Sequence, residues 1–434
     1  MPSPKTILPL LLGGAIGAAG ILQGLHWKSS AAPADRSDAG KQLRAAREEI
    51  EMLRRENESL RSLAQGGGEL SVPQELADRA EKETGLRFLS SPVLHRIAVE
   101  ELRGRIGAAI ESRLGPSGID DRQEAAILIG WLEPGDDLLV QLTASLSAGA
   151  GGWFDDVTGD AWMLDKTDLK NIPDQATLVG LLDRILLHQH FPPRPSHPGD
   201  DAARAREALH HGAASAAVAR FLTEKARTIG FMQMKEDKES EQLLASLSPY
   251  IQGLRNFVFI DGKGFADSLF VKGNEPFLAA FRNPPQSTRA IFRPEETPAE
   301  IKPLDLPATP EEPFLSETTG QLGLRLWLDA AGDAETASEI AHCWKNDRYV
   351  LFPDGESSAA LLWEIELTTE TAADQLQSAA LNLAGKMSGQ PAAAPGKVLV
   401  SESKRHLTVT RPSPLHVRFI NTSEPATAAA LSGK

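Results

Sequence analysis

An uncharged apolar run near the start of the chain predicts a membrane-spanning helix. Residues 7–25, ILPLLLGGAIGAAGILQGL, carry no charged side chain, and a helix of this length would span about 28 Å, enough for the hydrocarbon core of a bilayer. A signal peptide cleaved near SSAAPA is the alternative interpretation. Because Lys5 precedes the run, a membrane-anchored body is expected on the periplasmic or other extracytoplasmic side.

A heptad pattern follows within residues 31–70, after a polar linker. Its seam positions include Leu43, Ile50, Leu53, Asn57 and Leu60. An asparagine at one seam position is typical of a parallel two-stranded coiled coil, because the paired amides bond to each other in register. The pattern therefore predicts a homodimer, with a single solvated helix as the alternative.

The spacing of apolar residues after the Gly-rich break predicts an α+β body over residues 71–298. One helix carries an apolar stripe at i, i+3 and i+4, formed by Leu178, Leu181, Leu182, Ile185 and Leu186. WFDDVTGDAWMLD alternates like a β-hairpin with its turn at Thr158–Gly159. Ser287 and Thr288 follow a Pro-Pro turn and can cap the next helix.

The C-terminal third predicts a second, smaller α+β module. Residues 299–318 are rich in Pro, Glu and Thr and predict a linker. Residues 319–415 predict a helix, a helix leading into a strand, another strand, a helix and a terminal hairpin. Residues 416–434 include an Ala/Ser/Thr-rich stretch and are expected to be a disordered tail.

Composition narrows the classes of function. The chain has 434 residues and a formal net charge of -14, which argues against nucleic-acid binding, since phosphate recognition needs clustered Lys and Arg. Cys343 is the single cysteine, so no intramolecular disulfide can form. No phosphate loop, dinucleotide fingerprint or nucleophile elbow is present, and no cofactor is expected.

The helix at residues 178–191, LVGLLDRILLHQHF, has the outline of a peptidase zinc helix without its chemistry. Zinc peptidases use two His one helical turn apart and a Glu beside the first, which activates the metal-bound water. Gly180, Leu181 and Arg184 stand at those positions. Glycine and leucine offer no ligand atom, and the permanently charged guanidinium would repel a divalent cation.

Further segments carry the same likeness in chain order: GLRFLSSPV with EEL, GGWFDDVTGDAWML, PYIQGLRNFVF with FRNPPQSTRAIFRPEE, and GQLGLRLWLDAAG with WKNDRYVLF. Together they resemble bacterial, membrane-associated, gluzincin-like zinc metallopeptidase homologues over about residues 84–385. The resemblance implies a mainly helical, zincin-like body with an active-site cleft that is edged by the WFDD hairpin.

Matched to that family, Gly180 replaces the first zinc-binding His, Leu181 the catalytic Glu, Arg184 the second His and His211 the third ligand, a Glu. The resemblance also implies possible cleft positions, with Arg293 standing where the family has a His before Pro-Glu. These positions are Asp183, His190, Ser287, Thr288 and Arg293. No catalytic residue and no metal ligand is therefore assigned, and Arg184 is expected to fill the old metal position with a carboxylate as its partner.

These observations predict a membrane-anchored, catalytically inactive, metallopeptidase-like protein that binds a protein or peptide partner or acts as a scaffold at the cell envelope. Two alternatives remain open. One is a structural envelope protein that acts through the coiled coil. The other is an enzyme with a relocated metal site, because five of the ten histidines fall between residues 188 and 211 and imidazole binds transition metals.

Overall fold

A helical body and a six-stranded sheet make up the part of the chain that the structure, a computed structural model, describes. The described residues are 69–193, 198–229, 237–296, 301–330, 334–356 and 358–433. They belong to one compact unit that starts at Gly68.

The helical body includes a series of α-helices and a short π-helical segment, Phe257–Asp261, which lies between a helix that ends at Asn256 and one that begins at Gly262. The helices are α1 Gln74–Thr84, α2 Val99–Leu114, α3 Pro116–Ile129, α4 Leu138–Ser147, α5 Ile172–His190, α6 Asp200–Ile229, α7 Lys238–Ser246, α8 Pro249–Asn256, α9 Gly262–Val271, α10 Asn274–Arg282 and α11 Thr288–Phe292. A small sheet of β1 His95–Ile97, β2 Gly152–Phe154 and β3 Ala161–Leu164 has the order β1-β3-β2.

Helices α5 and α6 pack side by side in the centre of this body. The helix α5 is buried along most of its length, so the apolar stripe predicted from the sequence lies in the core. The side of α6 that faces away from α5 crosses α9 with almost no space between the two backbones. A Cβ atom added at Gly212 would lie 2.2 Å from the carbonyl carbon of Gly262. Only glycine fits such a close approach.

The larger sheet is antiparallel, with the order β4-β5-β6-β9-β8-β7. Its strands are β4 Leu315–Glu317, β5 Trp344–Pro353, β6 Ala359–Leu367, β7 Leu399–Val400, β8 His406–Ser413 and β9 His416–Thr422. The accompanying helices are α12 Gly320–Asp329, α13 Ala334–His342, α14 Glu370–Ser388 and α15 Pro425–Ser432.

Both faces of this sheet are covered. One face packs against α12, α13 and α14 through a core that contains Trp327, Trp344 and Trp363. The opposite face packs against α15, where Leu431 joins a smaller cluster with Phe352. Burial on both faces explains why β6 reads as a nearly continuous apolar run, AALLWEIEL, instead of an alternating one.

The prediction of a membrane anchor is corrected. Two predicted elements lie outside the described residues. They are the transmembrane segment at residues 7–25 and the coiled coil within residues 31–70 with its seam, and only the last two positions of the second range are described. Across the residues that the structure describes, none of the helices combines the length and the hydrophobicity needed to cross a bilayer. The fold class is accordingly α+β with a six-stranded sheet and no membrane-crossing helix in the described residues, and the expected membrane-anchored localisation is wrong on the same finding.

The C-terminal boundaries also need correction. Residues 416–434 were expected to be a disordered tail, but β9 lies inside the sheet between β6 and β8, and α15 follows it. The predicted linker at residues 299–318 contains β4, which forms one edge of the same sheet. Composition misled the prediction, because PATAAALS lacks an apolar stripe although Ala428 and Leu431 are buried.

Several predictions of local structure are confirmed. The WFDD segment forms the antiparallel β2–β3 hairpin, and Gly159 in its turn has a φ of 77°. Ser287 caps α11, because its side chain accepts a hydrogen bond from the backbone N–H of Arg289. The hairpin predicted near the C terminus is formed by β7 and β8.

Candidate functional site

The structure brings the positions of the degenerate zinc helix to the contact between α5 and α6. Gly180 lies against α6, where a Cβ atom added to it would be 3.1 Å from Cγ2 of Val218. One turn further along α5, Arg184 faces His211. Leu181 points instead toward the small sheet and packs over Gly152.

Arg184 forms a buried ion pair with Asp156. Its Nη2 atom donates to both carboxylate oxygens of Asp156 at 2.7 Å, and the arginine side chain is only 6% exposed. Arg113 approaches the same carboxylate from the other side, with its Nη2 atom 3.4 Å from Oδ2. The carboxylate that the sequence could not identify is thus supplied by the turn of the β2–β3 hairpin.

Aromatic rings and a histidine complete the surroundings of the Arg184 guanidinium. The guanidinium carbon lies 5.1 Å from the ring centre of Phe154 and 5.9 Å from that of Trp153. Nη1 lies 3.4 Å from each ring nitrogen of His211. The residues Asp156, Trp153 and Phe154 were missed by the sequence analysis, although the WFDD motif ahead of the helix contains all three.

Burial and charge fix the protonation states at this site. Burial alone would raise the pKa of Asp156, but the surrounding charges, Arg184 foremost and Arg113 among them, together outweigh burial and hold that pKa well below its usual range. Burial lowers the pKa of His211, and the charge of Arg184 lowers it further. At neutral pH the site therefore holds an ionised carboxylate, a guanidinium cation and a neutral imidazole, and neither the carboxylate nor the imidazole titrates near pH 7.

Asp183 and His190 lie away from the Arg184 pair. Asp183 is 2% exposed, and its Oδ2 atom has no hydrogen-bond partner within the described part of the chain. Burial raises the pKa of Asp183 to about 7, while the charge of Arg220 acts in the opposite direction. His190 Nε2 lies 2.7 Å from the carbonyl oxygen of Arg87, so this imidazole is used to join the end of α5 to an earlier loop.

The other described histidines of the predicted cluster each have a neighbour of their own. His188 Nε2 lies 3.0 Å from the carbonyl oxygen of Asp156, and the ring of His210 stands edge-on to Phe281 with 5.1 Å between centroids. His197 lies outside the described residues. The described ranges contain no group of three or more His, Cys, Asp or Glu side chains that could hold a metal ion.

Ser287 and Thr288 join α11 to its neighbours. The backbone N–H of Thr288 donates to Oδ1 of Asp201 at 2.9 Å, and its hydroxyl accepts from the backbone N–H of Leu322 at 3.1 Å. Burial raises the pKa of Asp201 to about 6, while its hydrogen bonds from Thr288 act in the opposite direction. These residues therefore connect α6 with α12, and Arg293 lines a different cavity, which is described below.

A cavity of about 180 Å³ adjoins the Arg184 pair. Arg113 and Trp153 line it and also contact the Arg184–Asp156 pair, so they form the wall between the two. Much of the remaining lining is apolar, and it includes Ile110, Leu114, Ile119, Leu138, Leu142, Leu146, Leu254 and Leu322. The cavity is thus a mainly apolar space next to the Arg184–Asp156 ion pair.

Two indole N–H groups in this lining lack an acceptor among the described residues. Nε1 of Trp131 and Nε1 of Trp153 are buried and lack a hydrogen-bond partner in the ranges that the structure describes. The ring of Trp131 is held by stacking on Tyr250, with centroids 4.6 Å apart. A buried donor without an acceptor costs about 1–3 kcal/mol, so a ligand that offers oxygen atoms here would be favoured.

The arginines in the lining are paired with carboxylates. Arg122 donates to Asp200 at 2.8 Å and to Glu317 at 2.8 Å, and Arg204 Nη1 lies 2.8 Å from Glu207. Burial would lower the pKa of Arg122, but Asp200, Tyr349 and Glu317 together raise it above its usual value. Because these charges are paired within the protein, the cavity does not require a charged ligand.

Comparisons with known proteins reach only the C-terminal part of the chain. A family model described as a domain of unknown function (DUF8575) matches residues 312–431, which begin just before β4 and end within α15. No curated protein and no solved structure matches the chain. The resemblance to gluzincin-like peptidases stays a prediction, and the helical body with its Arg184 site lies outside the matched residues.

Proposed function

We propose that this chain is a catalytically inactive, metallopeptidase-like binding protein, and that the cavity beside Arg184 takes an apolar side chain of a polypeptide partner. The ion pair between Arg184 and Asp156 carries the proposal. It fills the position of the second zinc ligand with a permanent cation whose charge is already compensated inside the protein.

The protonation states support the absence of peptidase chemistry. A general base works best when its pKa lies near the operating pH, whereas the pKa of Asp156 is far below it and that of His211 is lowered as well. Leu181, at the position of the family's catalytic Glu, contributes packing against Gly152 and no proton acceptor. We therefore expect binding without turnover at this site.

The size and polarity of the cavity support a side chain of a polypeptide as the ligand. An apolar cavity of about 150 Å³ in another protein admits benzene, so about 180 Å³ suits one aromatic or branched aliphatic side chain. Peptide carbonyl oxygens beside that side chain would supply acceptors for the N–H groups of Trp131 and Trp153. The paired charges in the lining fit a ligand segment without net charge.

Filling the cavity tests the proposal. Ala203 lines it from α6, and we expect Ala203→Phe to weaken binding of acetyl-Phe-Leu-amide and acetyl-Leu-Leu-amide by about tenfold or more, the equivalent of about 1.4 kcal/mol. The matched control Ala226→Phe changes the same residue type on the same helix, outside the cavity lining, and should bind as the wild type does. Isothermal titration calorimetry on the full chain measures both, with acetyl-Ser-Ser-amide as the polar comparison.

The proposal fails if neither apolar peptide binds the wild-type chain. It also fails if Ala203→Phe and Ala226→Phe bind these peptides equally well. Catalytic inactivity has a separate test. The full chain should not cleave fluorescent casein with or without added zinc, and it should retain no stoichiometric zinc after desalting. Chelator-sensitive cleavage would contradict inactivity and favour an enzyme with a relocated metal site.

A further inference from the structure

A second cavity, of about 740 Å³, lies where the helical body meets the start of β5 and the end of β6. Ser287 and Arg293, which flank α11, line it on one side, and Asn346 lines it on the other. It is distinct from the cavity beside Arg184, since the two have no lining residue in common. Nothing in the proposed function above accounts for it.

At this cavity Arg293 has two N–H donors that pair with none of the described residues. The residue is 9% exposed, and its Nη1 atom donates to Oε1 of Glu296 at 3.0 Å. Nε and Nη2 are buried without a hydrogen-bond partner among the residues described. The N–H groups of these two atoms lie on one edge of the planar guanidinium and point the same way, which matches the two oxygens of one carboxylate.

The charges that line the cavity leave a small positive surplus. Arg289 and Arg293 share the single carboxylate of Glu296, with Arg289 Nη2 2.8 Å from Oε2. Over the whole lining, the cations Arg289, Arg293, Lys302 and Lys345 face the anions Glu296, Asp305 and Glu366. A surplus of one positive charge suits a carboxylate, with charge -1, better than a phosphate, which carries about -1.5 to -2 at neutral pH.

Asn346 supplies the complementary acceptor. The residue is 7% exposed, and its Nδ2 atom donates to the carbonyl oxygen of Lys302. Its Oδ1 atom is buried and has no donor partner in the described ranges. An N–H group on the ligand would satisfy this oxygen. Acetate could not, because an ionised carboxylate has no N–H or O–H to donate.

We propose that this cavity binds an α-carboxylate that carries an amide N–H, the group shared by a peptide C terminus and a free N-acyl amino acid. The two carboxylate oxygens accept from Nε and Nη2 of Arg293, and the amide N–H donates to Oδ1 of Asn346. Binding satisfies the buried polar atoms on both sides of the cavity and balances its charge.

Titration of the full chain with N-acetylglycine tests the proposal, and the imidazole of His342 is a local reporter. Burial lowers the pKa of His342, and the charge of Arg293 lowers it further, against the opposing effect of Glu296. A carboxylate on Arg293 weakens that repulsion, so bound N-acetylglycine should raise the pKa of His342. NMR measures this pKa, and the variant His342→Gln assigns the signal. N-acetylglycinamide, which lacks the carboxylate, should bind at least about tenfold more weakly.

Arg293→Lys keeps the positive charge but removes the two parallel N–H donors on one edge of the guanidinium. It should therefore weaken N-acetylglycine binding by about tenfold. Arg282→Lys is the matched control, because Arg282 forms an ion pair with Glu275 outside the cavity lining, and its binding should be unchanged. If Arg293→Lys does not fold, Lys302→Gln removes an exposed cation of the same lining and should weaken binding by about threefold.

A peptide ending in a free carboxylate, acetyl-Ala-Ala-Gly, distinguishes the two sources of the ligand. Tighter binding of this peptide than of N-acetylglycine assigns the site to a peptide C terminus, and equal binding assigns it to the free acid; either result supports the carboxylate site. The proposal is overturned if N-acetylglycine does not bind or leaves His342 unmoved, if Arg293→Lys binds as the wild type does, or if inorganic phosphate binds more tightly.

Discussion

Replacing Asp156 by asparagine should leave the Arg184 charge buried without its counter-ion. Two opposite charges about 4 Å apart attract each other by about 4 kcal/mol at an effective dielectric constant of about 20. Removal of one partner from a buried pair typically costs about 3–5 kcal/mol. Because the Asp156 side chain is 19% exposed, water can reach part of the site, and we expect the lower end, about 3 kcal/mol. Urea unfolding of the full chain at pH 7, followed by tryptophan fluorescence, measures the loss.

Two further variants separate the ion pair from simple loss of a surface charge. Arg113→Gln removes the more distant and more exposed cation and should cost less than about 1 kcal/mol. Asp156→Leu combined with Arg184→Met removes both charges, and apolar replacement of a buried pair is often nearly neutral, so the double variant should be more stable than Asp156→Asn. The reasoning is refuted if Asp156→Asn loses less than about 1 kcal/mol, or if the double variant is the less stable of the two.

Three more predictions concern stability. Because burial raises the folded-state pKa of Asp183 to about 7 from an ordinary 3.8, the folded state keeps a proton that the unfolded state has lost, and the free energy of unfolding should fall as the pH rises from about 4 to about 7. Asp183→Asn should flatten that decline in urea titrations at several pH values, and parallel curves would contradict the assignment. Gly212→Ala should cost about 3 kcal/mol, since the new methyl group would meet the backbone of Gly262. Gly264→Ala, which meets nothing within 4 Å, should instead stabilise the chain by about 0.5–1 kcal/mol in the same urea experiment.

Local patterns in the sequence predicted the elements that form within short stretches of chain. The hairpin before α5 and the cap at Ser287 were predictable because turn geometry and capping depend on neighbouring residues. The helix α15 was missed because its burial depends on the sheet beneath it. The side chain of Asp354 also holds this helix in place, since it accepts hydrogen bonds from the backbone of Ser423 and the hydroxyl of Thr427.

The candidate site was predictable only in part, for the same physical reason. The positions Gly180 and Arg184 lie one turn apart on α5, so their common face follows from helical geometry. Asp156 is separated from Arg184 by 28 residues, and its role depends on how the hairpin folds over the helix. The second site depends on parts of the chain that are further apart in sequence, because Arg293 and Asn346 line one cavity from the helical body and from the sheet.

The position of β9 in the sheet has a consequence for synthesis of the chain. The strand β9 pairs with both β6 and β8. Because β6 and β8 are complete by residue 413, each of them lacks its β9 partner until residues 416–422 have left the ribosome. Asn421 also donates to the carbonyl oxygen of Leu128 at 2.8 Å, so a contact spanning most of the described chain forms at the same late moment. The nascent protein therefore carries two unpaired strand edges until residues 416–422 have been synthesised, and such edges are open to pairing with other chains.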